Sequence, residues 1–211
     1  MSTPDLVNYN LGRKAIIDLA LSAVGQPAIA DPATPMGYVE EMCVALFDVT
    51  LNASVREICP TSALMSVTLE QRADLASGKL PYQFDLPAGY AQIDKIAPTM
   101  AFKIANVLSD VETAPRSTLR TSQPGPIDVD YFSVSYPHLL DGLTQQACGT
   151  ALAIAAARSK LSSAERQRLQ DEYRVLIARA SGAGAHESFE DRPTVPSYTR
   201  RAYLQGGGEP W

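Results

Sequence analysis

The chain has 211 residues, of which 45% are hydrophobic, and this is enough to bury one core or one core with a small subdomain. Its formal net charge is -5 at pH 7. Because nucleic-acid binding relies on Lys and Arg clustered against phosphates, this acidic balance argues against a sequence-specific DNA-binding protein.

Cysteine usage and hydropathy indicate the cellular compartment. Cys43, Cys59 and Cys148 form no Cys-x-x-Cys pair, and they fit small core residues in a reducing cytoplasm. Residues 1–14 lack the apolar segment of a secretory signal. The longest small-apolar run, 147–157, is far below the roughly 20 residues that span a bilayer. These features predict a soluble intracellular protein.

Apolar residues recur at helical spacing in two segments near the amino terminus. The first segment covers about residues 12–24 and ends at Gly25, with Pro27 preventing its continuation. The second covers about residues 36–58 and ends before Pro60. Each segment predicts a helix that buries one face.

The middle of the chain changes to period-two alternation, which predicts short strands. The turn at residues 87–89 suggests that the strands on either side of it pair with each other. Residues 97–130 show an apolar patch of ambiguous structure and several chain breakers, and so long a loop tends to be functional or ordered by a partner. The predicted strands are 63–69, 82–86, 90–96 and 127–134.

Residues 136–182 predict an antiparallel helical hairpin. Pro137 suits the first turn of a helix, and Ser162 followed by Glu165 fits a capping box at the start of the second helix. Gly182 is a natural left-handed stop. The side chains at 148–157 are mostly small, so we expect the helices at 12–24 and 36–58 to pack tightly against this half.

These elements predict a mainly α fold, an antiparallel bundle of about four helices with a small inserted β portion and an extended C-terminal arm. The bundle domain covers residues 1–182 with the β insertion at about 61–134, and the docking arm covers 183–211. The arm has the composition of a segment that docks on another surface, although a disordered tail is the alternative. Its predicted partner-binding residues are Phe189, Arg192, Tyr198, Arg200, Arg201, Tyr203 and Trp211.

The residues predict neither an enzyme nor a metal or cofactor site. His138 and His186 have no second histidine or cysteine at helical spacing, and no nucleophile elbow, phosphate loop or dinucleotide fingerprint occurs. Glu40 and Glu41 are adjacent and point about 100° apart on a helix, so they do not form an acid/base pair.

Five short phrases occur in one order along residues 12–182. In this order they resemble the head-to-tail adaptor, or tail tubular protein A, family of short-tailed bacteriophages. The phrases are LALSAVGQPAI at 19–29, ALFD at 45–48 with VREICP at 55–60, LPAGY at 86–90, YPHLL at 136–140, and the tyrosine- and alanine-bearing helix at 173–180.

The resemblance implies a helix bundle with a small β portion that forms a ring of about twelve copies between the portal protein and the tail nozzle protein. It implies a virion protein that assembles in the host cytoplasm, without a membrane, and lets DNA pass through its channel without sequence-specific binding. The acidic balance suits such a channel because it repels phosphates. The alternative is a monomeric helical connector or recruiting module from another phage tail type.

Overall fold

A computed structural model describes residues 3–76, 78–107 and 116–187, which form a helical layer and a β layer. The helices are α1 (Thr3–Ala23), α2 (Tyr38–Ile58), α3 (Gly142–Ala156) and α4 (Ser163–Glu187). The strands are β1 (Leu64–Leu69), β2 (Tyr82–Asp85), β3 (Tyr90–Ala97), β4 (Phe102–Val107), β5 (Arg116–Thr121) and β6 (Ile127–Ser133). Short 3-10 turns occupy Thr61–Ala63 and Pro137–Leu139.

The prediction of a mainly α fold is wrong, because the described residues form a mixed α/β fold. Its strands make two three-stranded antiparallel sheets, sheet A in the order β1-β6-β3 and sheet B in the order β2-β5-β4. Strands β4 and β5 lie in the region 97–130 that the sequence left unassigned. β5 reads RSTLRT, and Leu119 is its one large apolar side chain, so its alternation carries little hydrophobic signal.

The predicted pairing across residues 87–89 is also wrong. β2 pairs with β5 and β3 pairs with β6, so this turn carries the chain from sheet B to sheet A. Gly89 has a φ of +74°, and a Cβ there would lie 2.0 Å from Ser135 Oγ. Its carbonyl accepts a hydrogen bond from Val134 N, which fixes the turn at the end of β6.

The two sheets pack face to face as a sandwich around their own apolar cluster. Phe84 and Leu119 of sheet B share this cluster with Ile96, Ile127 and Val129 of sheet A. Each sheet therefore has one inner face on this core and one outer face that points away from it.

Helix α3 is the centre of the helical layer and contacts α1, α2 and α4. A Cβ at Gly149 would lie 2.7 Å from Leu19 Cβ and 3.3 Å from the Ile16 carbonyl oxygen, so the backbones of α1 and α3 approach closely. The expected tight packing on this small-residue segment is confirmed. One hydrogen bond joins the helical layer to sheet A: Arg56 Nε on α2 donates to the Ala91 carbonyl on β3 at 2.7 Å.

The ends of three predicted helices differ in the structure. α1 begins at Thr3 rather than near residue 12, and Pro137 opens a separate 3-10 turn rather than α3. The predicted stop at Gly182 is wrong because α4 continues to Glu187; an interior glycine costs a helix only about 1 kcal/mol. The predicted capping box is confirmed, since Ser162 N donates to Glu165 at 2.9 Å.

Tyr9 and Arg13 fix α1 against α2. The Tyr9 hydroxyl donates to Asp48 at 2.7 Å, and its ring meets the Phe47 ring edge-on at 6.5 Å. The Arg13 guanidinium lies 5.4 Å from the centre of the same ring, and it donates to the Val44 carbonyl. Burial, together with the hydrogen bond to Asp48, raises the pKa of Tyr9 to about 12.

Two of the three cysteines fit the expected core role. Cys43 and Cys148 are buried in the helical layer, and burial raises the pKa of their thiols to about 11 and about 12. Cys59 differs, because it caps α2 in the left-handed region with a φ of 51°. The following Pro60 disfavours helical backbone at this position, so the helix ends here.

Asp141 begins α3 and links it to the turn before β1. Its carboxylate accepts hydrogen bonds from Thr144 N at 2.9 Å, from Thr144 Oγ1 at 2.7 Å and from Ser62 Oγ at 3.1 Å. Burial on its own would raise the pKa of Asp141, but these hydrogen bonds outweigh it and hold that pKa below its ordinary value.

We expect Asp141→Ala to lower the free energy of unfolding by about 1 kcal/mol, as loss of a helix N-cap does. Because the folded-state pKa is depressed, the carboxylate stabilises the fold above about pH 4, and this stabilisation is lost as the pH falls further. Urea unfolding at pH 7 and pH 3 measures both effects. Asp141→Asn keeps an acceptor at the cap and is the control. If the wild type loses no more stability on acidification than this variant, the assignment is wrong.

Candidate subunit interface

The arm residues predicted to bind the portal or a neighbouring subunit lie outside the described residues. Their role therefore stays a prediction. They are Phe189, Arg192, Tyr198, Arg200, Arg201, Tyr203 and Trp211. The candidate surfaces below come from the part of the chain that the structure does describe.

The outer face of sheet B carries two neighbouring cations, Lys103 on β4 and Arg120 on β5. They are direct cross-strand partners, and Lys103 is exposed while Arg120 is half-buried. Arg120 Nε is shielded from solvent and has no hydrogen-bond partner among the described residues. Neither side chain forms an ion pair within the described residues. Like charges directly opposite each other destabilise a sheet, so this basic pair is an unfavourable feature of the isolated chain.

A third cation on the same side of the molecule is neutralised. Arg72 contacts Asp74 at 2.7 Å and Asp85 at 2.8 Å. The hydrogen bond from Arg72 holds the pKa of Asp74 below its ordinary value, and the two carboxylates raise the pKa of Arg72. Arg72 is therefore neutralised within the chain, whereas Lys103 and Arg120 form no ion pair among the described residues.

The outer face of sheet A carries an acidic pair, Asp128 and Asp130. They alternate along β6 with Val129, which points into the sandwich core. Thr68 Oγ1 donates to Asp128 Oδ1 at 2.7 Å, and Ser66 Oγ donates to Asp130 Oδ1 at 2.6 Å. Lys95 is the register partner of Asp130 on β3, yet the described residues include no ion pair to either carboxylate. The face is therefore negatively charged.

The helical layer covers only one end of this outer face. Phe132 lies on the same side of β6 as the acidic pair and is buried in the helical core cluster. Asp128, toward the other end of the strand, is exposed, as are Ser66 and Thr68 on β1. The acidic half of the face therefore remains open to another protein.

The edge strand β4 adds exposed apolar area beside the basic pair. Phe102 is 46% exposed and Ile104 is 38% exposed, although both lie on the inner side of sheet B with Leu119. The opposite edge of sheet B is covered, because Gln71 bridges Phe84 and Arg72 N donates to the Gln83 carbonyl. In the described part of the chain, β4 pairs with β5 alone.

A second apolar surface, here called the α1 patch, lies in the helical layer. It consists of Leu6, Val7 and Leu11 on the first turns of α1 and of Leu139, all at least half-exposed. The 3-10 turn that carries Leu139 lies directly against Gly12. Exposed apolar groups that cluster in this way are typical of protein-binding surfaces.

The described residues show no arrangement typical of catalysis. No group of three His, Cys, Asp or Glu side chains in them could hold a metal ion. The groove at the β2–β3 turn, of about 510 Å³, is open to solvent and is lined mainly by the backbone-rich segment 85–90 and by Ser117. No helix among these residues is long and apolar enough to cross a membrane.

No protein-family model matches the chain, and no curated protein matches it. The surfaces themselves are therefore the basis for a functional argument.

Sequence patterns did not reveal the basic pair, because Lys103 and Arg120 become neighbours only through the β4–β5 register. The acidic pair had a visible signal, the alternation of Asp with apolar residues in IDVDYFS.

Proposed function

We propose that this protein is a structural virion protein, a head-to-tail adaptor that forms a ring between the portal and the tail nozzle and surrounds the DNA exit channel. The observation that carries the proposal is the α1 patch, because an exposed apolar surface on a folded chain indicates a protein partner. The resemblance of five sequence phrases to phage adaptors supplies the identity of that partner.

The charge of the chain supports the channel role. A net charge of -5 repels phosphate groups at the ionic strength of a cell, so a ring of such copies does not retain passing DNA. In this proposal the protein resides in the virion neck after assembly in the host cytoplasm. It has no enzymatic activity and needs no cofactor.

The alternative is a monomeric connector that recruits a single partner without forming a ring. The exposed α1 patch is compatible with both functions, because either one needs a docking surface. The two proposals differ in stoichiometry. A ring adaptor adds several copies to each portal assembly, whereas a recruiting module forms a one-to-one complex.

The test is to mix the purified protein with its portal and to measure the mass of the complex by light scattering. We expect a multi-copy complex, and we expect Leu11→Glu to weaken portal binding roughly tenfold or more, since it places a charge in the apolar contact. Val175→Glu changes a comparably exposed apolar residue on α4 and is the matched control. A one-to-one complex would establish the recruiting alternative. If both variants lost the same amount of portal affinity, the α1 patch would not be part of the interface.

A further inference from the structure

The basic pair and the acidic pair lie on opposite outer faces of one sandwich. Lys103 and Arg120 point away from the core on sheet B, and Asp128 and Asp130 point away from it on sheet A. The two faces therefore carry opposite charges and point to opposite sides of the sandwich. A surface of this kind is complementary to a second copy of itself.

We propose that the outer face of sheet B in one copy packs against the outer face of sheet A in the next, so that the basic pair faces the neighbouring acidic pair. This inference rests on the proposed ring and identifies the contact between its subunits. It commits to a second copy of this chain as the occupant of both faces.

Hydrogen-bonding capacity supports this pairing. Lys103 is exposed and Arg120 is half-buried, and neither has a carboxylate partner in the described part of the chain. Across the sandwich, the hydroxyl groups of Ser66 and Thr68 use only the Oδ1 atoms of the acidic pair, so both Oδ2 atoms can accept further bonds. Stacking two copies joins these donors to these acceptors and relieves the repulsion within each pair.

Symmetry explains why the contact is heterologous. A twofold contact between identical faces would oppose Lys103 and Arg120 to a second basic pair, or Asp128 and Asp130 to a second acidic pair, and like charges disfavour both. A contact between unlike faces leaves one free face at each end of a dimer. Such a contact adds copies in one direction and closes into a ring when the rotation closes.

The test uses two charge-reversed proteins, each with an intact opposite face. Lys103→Glu with Arg120→Glu makes both faces acidic, and Asp128→Lys with Asp130→Lys makes both faces basic. We expect each charge-reversed protein, when tested alone, to need a roughly hundredfold higher concentration than the wild type for half of its copies to assemble. The reason is that like charges then meet at every contact. We expect an equimolar mixture of the two to assemble again, since acidic and basic faces alternate around the ring.

Matched controls separate this contact from a general effect of charge. Arg174→Glu with Arg179→Glu produces the same change in net charge as the Lys103 and Arg120 variant, at exposed positions on α4, and we expect normal assembly. Thermal unfolding checks that each variant is folded. If the Asp→Lys protein does not fold, Asp128→Asn with Asp130→Asn retains acceptors for Thr68 and Ser66, and we expect roughly tenfold weaker assembly.

Mass photometry of all proteins, with and without portal, gives separate outcomes for the two proposals. If the wild type assembles and the charge-reversed proteins assemble equally well, the proposed contact is overturned while the ring function stands. If the wild type forms no ring even with portal, the proposed function fails. Loss of assembly in both single proteins with recovery in their mixture supports the contact.

Discussion

Gly12→Ala is expected to lower the free energy of unfolding by about 3 kcal/mol, because α1 has no room for a side chain at this position. A Cβ there would lie 2.3 Å from the backbone nitrogen of His138 and 2.8 Å from the carbonyl carbon of Pro137. Both atoms belong to the backbone of the 3-10 turn, so the clash is relieved only by moving the turn or the helix. The same movement displaces Leu139 and alters the α1 patch.

Gly142→Ala is the matched control for this prediction. Its added Cβ meets nothing within 4 Å, and we expect an unchanged or slightly higher stability, since alanine favours helix by about 1 kcal/mol over glycine. Urea unfolding gives both values from the transition midpoint at constant slope. Equal stability of the two variants would mean that α1 does not pack against the 137–139 turn as described.

Phe84→Ala is expected to lower the free energy of unfolding by about 4 kcal/mol, the usual cost of removing a buried phenylalanine ring. Phe84 is 0% exposed and lies between the two sheets with Leu119. Gly125 lies against its ring, where a Cβ would come within 2.7 Å of Phe84 Cε1. Truncation therefore leaves a cavity in a closely packed region that has little freedom to collapse.

Phe102→Ala removes the same side chain from the same side of sheet B, at a position that is 46% exposed. We expect it to cost about 1 kcal/mol, because nearly half of this side chain already remains in water. Comparison of the two variants by urea unfolding isolates the contribution of the sandwich core. A similar cost for both would show that Phe84 is not buried between the sheets.

The helices were the more predictable half of the fold. Period-3.6 spacing located α2, and the Ser162–Glu165 pattern located the start of α4, because both signals depend on residues close in sequence. The end of α4 was missed because a glycine ends a helix only when its backbone is left-handed. Gly182 is not left-handed here, and the sequence does not show this.

The sheets were less predictable because their pairings are non-local. β1 pairs with β6, so that Leu64 lies opposite Phe132, while two-residue alternation identifies a strand but not its neighbour. The turn at 87–89 has a hairpin composition, yet it crosses between sheets. The candidate interface depends on these pairings, and for that reason its basic pair could not be predicted from spacing.

The most direct test of the proposed function is an electron micrograph of the protein bound to its portal. The proposal predicts a closed ring of copies that is coaxial with the portal and surrounds an open central channel, with neighbouring copies in contact through unlike faces. A single copy bound at the side of the portal, or a portal without bound protein at saturating concentration, would contradict the proposal that this chain is a ring-forming adaptor.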